Sequence, residues 1–299
     1  MRLSCVRWLA ALAVWSCSGD RSPRNDTATP ERSPPTGAPA TRSMAWEFRA
    51  GRLFAIRSAN GTAWLVNPAW AEDQDLDSLT EASWNPSGDT LEAFDGAMLA
   101  GRGRLDALHY DSTCAGWPTV SFADPVLPPW RVAFPAGRAN GVSFDSLPGL
   151  SAGDSAVRVR AGALAASRLP GDTASAFRGH PFTVRQAIRF PVAADTMALL
   201  FEVVRLVAQE ANPLEEKIIM VVEEGPAGAP PRTRYAERVI ALEETMPSLD
   251  VLGILRIRAT GRLAILVRRE REGGFLLEWI ERTATGDWRV RWRSALDTC

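Results

Sequence analysis

From residue 182 to the C-terminus the apolar positions fall into short runs separated by turn residues. MALLFEVVRLVAQE (197–210) and EKIIMVVEEG (216–225) flank Ala211-Asn212-Pro213. ERVIALEE (237–244) follows, then ILRIRATGRLAILVRRE with Thr260-Gly261 at its centre, then GFLLEWIERTATGDWRVRWRS with Thr285-Gly286. Apolar runs of this width, rich in Val, Ile and Leu and punctuated by Gly, Asn and Pro, predict an antiparallel meander. Residues 44–145 read as β-rich too. AWEFRAGRLFAIRSANGTAWLVNP carries Asn60-Gly61, a strong tight-turn signal, and the prolines of VSFADPVLPPWRVAFPAG restrict that stretch to short or edge strands.

One segment has a different period. In SAGDSAVRVRAGALAASRLPG (151–171), Ser151 and Asp154 have the spacing of a capping pair, and Pro170-Gly171 is a stop. The pattern predicts a helix over about 151–169 with Val157, Ala161, Leu164 and Ala165 on its sheet-facing side. The expected class is therefore α+β, predominantly antiparallel β with one central helix; a partial β-propeller-like all-β arrangement is the alternative. A weak internal echo relates 48–66 to 257–280. Both read turn, Gly-Arg-Leu, apolar strand, polar loop and aromatic strand, as two similar hairpins would.

The last strand pattern, DWRVRWRS (287–294), alternates aromatic or apolar residues with arginine. It fits a stacking platform for nucleic acid or sugar, or an ordinary strand. Strict alternation puts Trp288, Val290 and Trp292 inward and Arg289, Arg291 and Arg293 outward. On that register Glu281 and Trp279 share the exposed face with the arginines, while Ile280 lies opposite Val290.

The N-terminus changes the picture. Arg2 and Arg7 precede a short apolar core, WLAALAVW (8–15), and Ser16 is a small residue before Cys17. That order is the order of a secretory signal, and the core is too short to span a bilayer. VWSC (14–17) resembles the lipobox of bacterial lipoproteins, with Val14 and Ser16 matching and Trp15 bulkier than usual; the resemblance covers residues 1–17 alone. It implies cleavage before Cys17, acylation of Cys17 and insertion of its acyl chains into the lipid bilayer. With Ser18 next, it implies an outer-membrane location facing the periplasm. Residues 18–43 hold five prolines with many Ser and Thr, and among apolar side chains only Ala. Such a composition predicts a disordered tether of roughly 28 Å average reach. The expected organisation is a signal at 1–16, an acylated cysteine and tether at 17–43, and a β-rich domain at 44–299 with a candidate subdivision near 146–180.

Charge and cysteine content narrow the function. Loss of residues 1–16 removes Arg2 and Arg7 and no acid, so the net charge moves from −1 to −3. A chain without a net positive field is a poor match for polyanions, which argues against nucleic acid as a partner. Of the four cysteines, Cys5 leaves with the signal and Cys17 takes lipid. Cys114 and Cys299 remain as a pair in an oxidising compartment, and a disulfide between them is expected.

Catalytic signals are sparse. There are two histidines, His109 and His180, and the common metal, phosphate and nucleophile motifs are missing. HYDSTC (109–114) places His109, Asp111 and Cys114 close in sequence, but on a strand 109 and 114 point to opposite faces. Asp73, Asp75 and Asp77 have the opening spacing of a calcium loop, yet Ser78 stands where such a loop needs glycine and Trp84 where it needs glutamate. No cofactor is implied. The sequence favours a non-catalytic binding or scaffolding lipoprotein with an envelope protein or glycan partner. The alternative is a periplasmic glycan hydrolase working through paired carboxylates.

Overall fold

Because the central runs of the chain are apolar at consecutive positions, their strands have two faces to bury. The computed structural model shows how, for residues 51–57, 61–73, 76, 86–113, 115–124, 129–170, 174–207, 213–226 and 229–299. Cys17, Asp75, Asp77 and Cys114 lie outside these described residues.

The first part of the chain closes a six-stranded barrel. Its strands are β1 (Phe54–Arg57), β2 (Ala63–Val66), β3 (Thr90–Asp95), β4 (Met98–His109), β5 (Thr119–Phe122) and β6 (Val132–Pro135), in the order β1-β2-β5-β4-β3-β6. Two short strands follow, β7 (Ala139–Gly141) and β8 (Asp145–Ser146). Then come helix α1 (Ala152–Ser167) and two long meanders. The first runs β9 (Thr183–Ala193), β10 (Thr196–Val207), β11 (Leu214–Glu224) and β12 (Arg232–Leu242). The second runs β13 (Ser248–Ile257), β14 (Leu263–Arg271), β15 (Gly274–Arg282) and β16 (Trp288–Arg293). The sheet orders are β12-β11-β10-β9-β8 and β16-β15-β14-β13-β7. Thus β7 and β8, consecutive in sequence, each complete the edge of a different sheet.

Side-chain alternation stacks these units in layers. Small and aliphatic residues such as Ala55, Leu65, Ala93, Leu105 and Ala133 fill the barrel. The barrel's outward residues Phe54, Ile56, Val132 and Phe134 pack on Leu255, Leu266, Leu277 and Trp279 of the second meander. Phe54 stacks on Phe134 at 5.4 Å between centroids, and Trp279 meets Phe134 at 5.8 Å. The opposite face of that sheet, with Val251, Ile265, Val267 and Ile280, packs on Phe190, Leu200, Ile219 and Val221 of the first meander. The outer face of the first meander carries α1. Among the described residues the chain is predominantly antiparallel β with a single α-helix, as the sequence predicts. The layered stack with a closed barrel at one end is the α+β arrangement, not the propeller.

The helix begins as expected and faces differently. Ser151 is the N-cap; its Oγ accepts the Asp154 backbone N–H at 3.2 Å and donates to Asp154 Oδ2 at 2.8 Å. A cap of this kind stabilises by about 1 kcal/mol. The sheet-facing side, however, is Gly162 and Ala166, with Ala165 and Leu169 beside them. Val157 and Leu164, expected inward, are 65% and 48% exposed. The reason is close approach: a β-carbon on Gly162 would lie 2.8 Å from Phe201 and 2.9 Å from Val184. Glycine and alanine let the helix backbone settle on the aromatic floor, and the larger aliphatic side chains are left on the flank.

The last strand is also corrected. Its register against β15 shifts between Trp279 and Ile280, so Ile280 pairs with Val290 while Trp279 pairs with Trp292. This bulge breaks the alternation. Trp288 and Val290 face the first meander, whereas Trp292 faces the barrel. Arg293 consequently turns inward. Glu281 does pair with Arg289 in register, but it is fully buried and takes its ion pair from Arg262 at 3.2 Å. Trp279 is 1% exposed, so neither residue belongs to a solvent face. The two halves of the sequence echo are both hairpins, β1–β2 in the barrel and β14–β15 in the middle sheet.

Candidate functional site

The offset of α1 creates a groove. The helix packs chiefly on β9 and β10 and shares its core cluster with Ile218, Met220 and Val222 of β11. Between its flank and β12 opens a cavity of about 710 Å³, within the range typical of small-molecule sites. Leu199 and Phe201 of β10 and Val222 of β11 form its floor. Ala161, Leu164, Ala165 and Leu169 of α1 form one wall, and Pro230, Pro231 and Ala236 the other. Of the stripe expected to pack on the sheet, Ala161 and Leu164 thus line an open cleft instead, while Ala165 touches both the cleft and the core.

Charged groups enter this lining at three places. Arg168, the C-cap of α1, is exposed and has no ion-pair partner among the described residues. Arg234 reaches Glu223 and Asp287 only at 3.7 Å each, and its buried Nε has no hydrogen-bond partner among the described residues. Glu224 is met by Arg158 at 3.6 Å. The guanidinium of Arg234 is thus directed to Glu223 and Asp287 on the side of the second meander, and the groove has an apolar floor with Arg168, Glu224 and Thr233 among its lining residues.

A second concentration of charge lies between the two meanders. Arg269, 2% exposed, donates to Glu278 Oε2 at 2.6 Å and to Glu237 Oε2. Arg293 donates to Glu278 Oε1 at 2.7 Å, and the Tyr235 hydroxyl donates to Glu237 Oε2 at 2.8 Å. Burial and the neighbouring Glu237 push the Tyr235 hydroxyl's pKa up. Burial alone would raise the Glu237 carboxyl, but Arg269, the Tyr235 hydroxyl and Arg293 outweigh it and hold Glu237 below the usual range. A glycosidase acid needs the opposite shift.

Asp297 does have a raised carboxyl. Burial drives it up, against hydrogen bonds from the backbone N–H groups of Trp117 and Cys299. It accepts those bonds at 2.9 Å each and secures the chain end to the 115–117 segment. There Ala115 O accepts both the backbone N–H and the hydroxyl of Thr298, each at 2.8 Å. Position 274 allows this docking, because a β-carbon there would lie 1.9 Å from the Asp297 carbonyl oxygen.

The remaining sequence candidates are described only in part. Asp73 is exposed, and its proposed co-ligands Asp75 and Asp77 fall outside the described residues. Among the described residues no cluster of three His, Cys, Asp or Glu side chains could hold a metal ion. His109 ends β4 in solvent. Asp111 is exposed and accepts from the Thr113 backbone N–H and hydroxyl, which lower its carboxyl pKa. Trp117, Trp130, Trp279, Trp288 and Trp292 are buried in the cores, so the terminal tryptophans form no stacking platform. Sequence reasoning missed the groove; the Pro230-Pro231 pair and the Val157-to-Leu164 stripe ending at Arg168 were its only traces. No helix of the described residues is long and apolar enough to cross a membrane. No family model, curated protein or solved structure matches the chain.

Proposed function

We propose that this chain is a membrane-tethered envelope lipoprotein of non-catalytic binding type, holding its ligand in the groove between α1 and β12. The observation that carries the reading is the groove itself: an apolar floor beside α1, with Glu224 the one carboxylate among the described residues of its lining. In this reading Cys17 is acylated and residues 18–43 lift the domain off the outer membrane's periplasmic face. Cys114 and Cys299 form a disulfide that fastens the chain end. Supporting the last point, Thr298 is hydrogen-bonded to Ala115, and a β-carbon at position 116 would lie 2.3 Å from Cys299 Sγ.

Two measurements test the proposal. Cys17→Ala is expected to move the protein from the membrane to the soluble fraction; retention in the membrane refutes the tether. The anionic probe 1-anilinonaphthalene-8-sulfonate is expected to bind saturably at one site and to lose that site in Ala161→Trp, which fills the groove from an exposed helix position. Unchanged binding in that variant refutes the groove.

A further inference from the structure

The barrel has an opening in its wall. β2 and β5 share one registered pair, Trp64 with Thr119. Continuing that register would set Ala63 against Val120 and Thr62 against Ser121. Instead the strands part, and these residues line a cavity of about 370 Å³ at the barrel's mouth. Barrel mouths are recurrent small-molecule sites, and this volume lies at the lower end of their range. Ala63, Val120, Phe122 and Trp130, which belong to the barrel core, supply its apolar side; Thr119 and Ser121 bring hydroxyls.

Arg57 is the one charged group among the described residues of this lining. It ends β1, and it follows Leu53 and Ala55 in the alternation that points into the barrel. Two other lining residues bracket its guanidinium. Cζ lies 5.9 Å from the Trp130 ring centroid, and a β-carbon on Gly61 would lie 2.9 Å from a terminal nitrogen. An aromatic ring takes a guanidinium by its face, so the in-plane N–H donors of Arg57 are left for other acceptors. Other half-buried arginines end on carboxylates: Arg131 meets Asp250 at 2.6 Å, Arg282 meets Glu223 at 2.7 Å and Arg262 meets Glu281 at 3.2 Å. Among the described residues no carboxylate pairs with Arg57.

We propose that the mouth of the barrel binds a small organic anion, its head on the Arg57 guanidinium and its apolar body among Ala63, Val120 and Phe122. Carboxylate and phosphate both match a guanidinium fork, so a carboxylic acid and a phosphate monoester are the two sources to separate. The inference does not depend on the groove beside α1.

The test is titration of the full-length chain carrying Cys17→Ala with benzoate, phenyl phosphate and the uncharged benzamide, followed by calorimetry in a buffer free of carboxylate and phosphate. One of the two anions is expected to bind one-to-one and at least about tenfold tighter than benzamide, the equivalent of one charged hydrogen bond; the tighter anion identifies the source. Arg57→Met, which keeps the apolar stem over Trp130, is expected to abolish that preference. Binding in Ala161→Trp is expected to be unchanged, and its loss there would move the anion out of the barrel. In the wild-type chain the bound anion is expected to protect Arg57 from phenylglyoxal, mapped by peptide mass, and to leave the exposed Arg104 reactive. Equal affinity for anions and benzamide, or Arg57 labelled equally with and without the anion, overturns the site.

Discussion

Gly162 of α1 sits against Phe201 of β10 so closely that a β-carbon at position 162 would lie 2.8 Å from the ring. This contact sets the height of the helix over the sheet, and with it the depth of the groove beside it. In Gly162→Ala the helix gains up to about 1 kcal/mol of propensity, while overpacking a tight site costs about 1–3 kcal/mol. The net expectation is destabilisation by up to about 2 kcal/mol. Gly153→Ala, with open space around it, is expected to gain a few tenths to about 1 kcal/mol. Urea midpoints of the two variants test the pair; an equal gain in both would mean that α1 does not rest on Phe201.

The buried charges between the meanders are coupled. Arg269→Met leaves the buried Glu278 and the partly buried Glu237 with fewer partners, and an uncompensated buried charge costs about 3–5 kcal/mol. Arg269→Met combined with Glu278→Leu removes both charges, and Arg293 can still turn to Glu237, which it approaches at 3.7 Å. The double variant is expected to be more stable than the single one. A double variant as unstable as the sum of its parts would show that the two residues do not interact.

Acid stability follows from the same cluster. Glu237 is held below its reference value of 4.5, so the folded state keeps a carboxylate that the unfolded chain protonates. Its contribution is fully present above that reference value and is lost as the pH falls through the lower folded value. Unfolding midpoints measured from roughly pH 6 to pH 3 should fall less steeply in Glu237→Gln than in the wild type. Parallel curves would contradict the ion pairing.

Cys299 ends a segment that returns to residues 115–117. If it is bonded to Cys114, reduction should add two thiols by alkylation and mass measurement. The entropy model gives about 4–5 kcal/mol for closing a loop of roughly 185 residues, so reduced protein should unfold at distinctly lower urea. Two alkylatable thiols in unreduced native protein would remove the bond from the account.

Strands and turns were legible because their chemistry is local. Gly261 and Gly286 adopt φ of +67° and +89° at the expected hairpin turns, and Ser151 caps the helix where its spacing says. What depends on other layers was hidden. LAILV and IIMVV are apolar on both faces, so their periodicity does not reveal which face meets the barrel and which the other sheet. The bulge beside Trp279 sends Trp292 to the barrel and Arg293 to Glu278, and nothing in WRVRWR marks it. Packing strength also misled the assignment of the helix face. Val157 and Leu164 bury more area than glycine or alanine when covered, but Phe201 and Val184 accept only a side with almost no side chain. The groove exists because of that choice, so the pattern pointed to its residues and gave them the wrong role.

The most direct measurement is photocrosslinking of an azido derivative of 1-anilinonaphthalene-8-sulfonate to the full-length chain, followed by peptide mapping. The account predicts adducts on residues 161–169 of α1 and 230–236 around the start of β12, suppressed by excess unmodified probe and by Ala161→Trp. Adducts concentrated on the barrel, or a pattern unchanged by filling the groove, would contradict it.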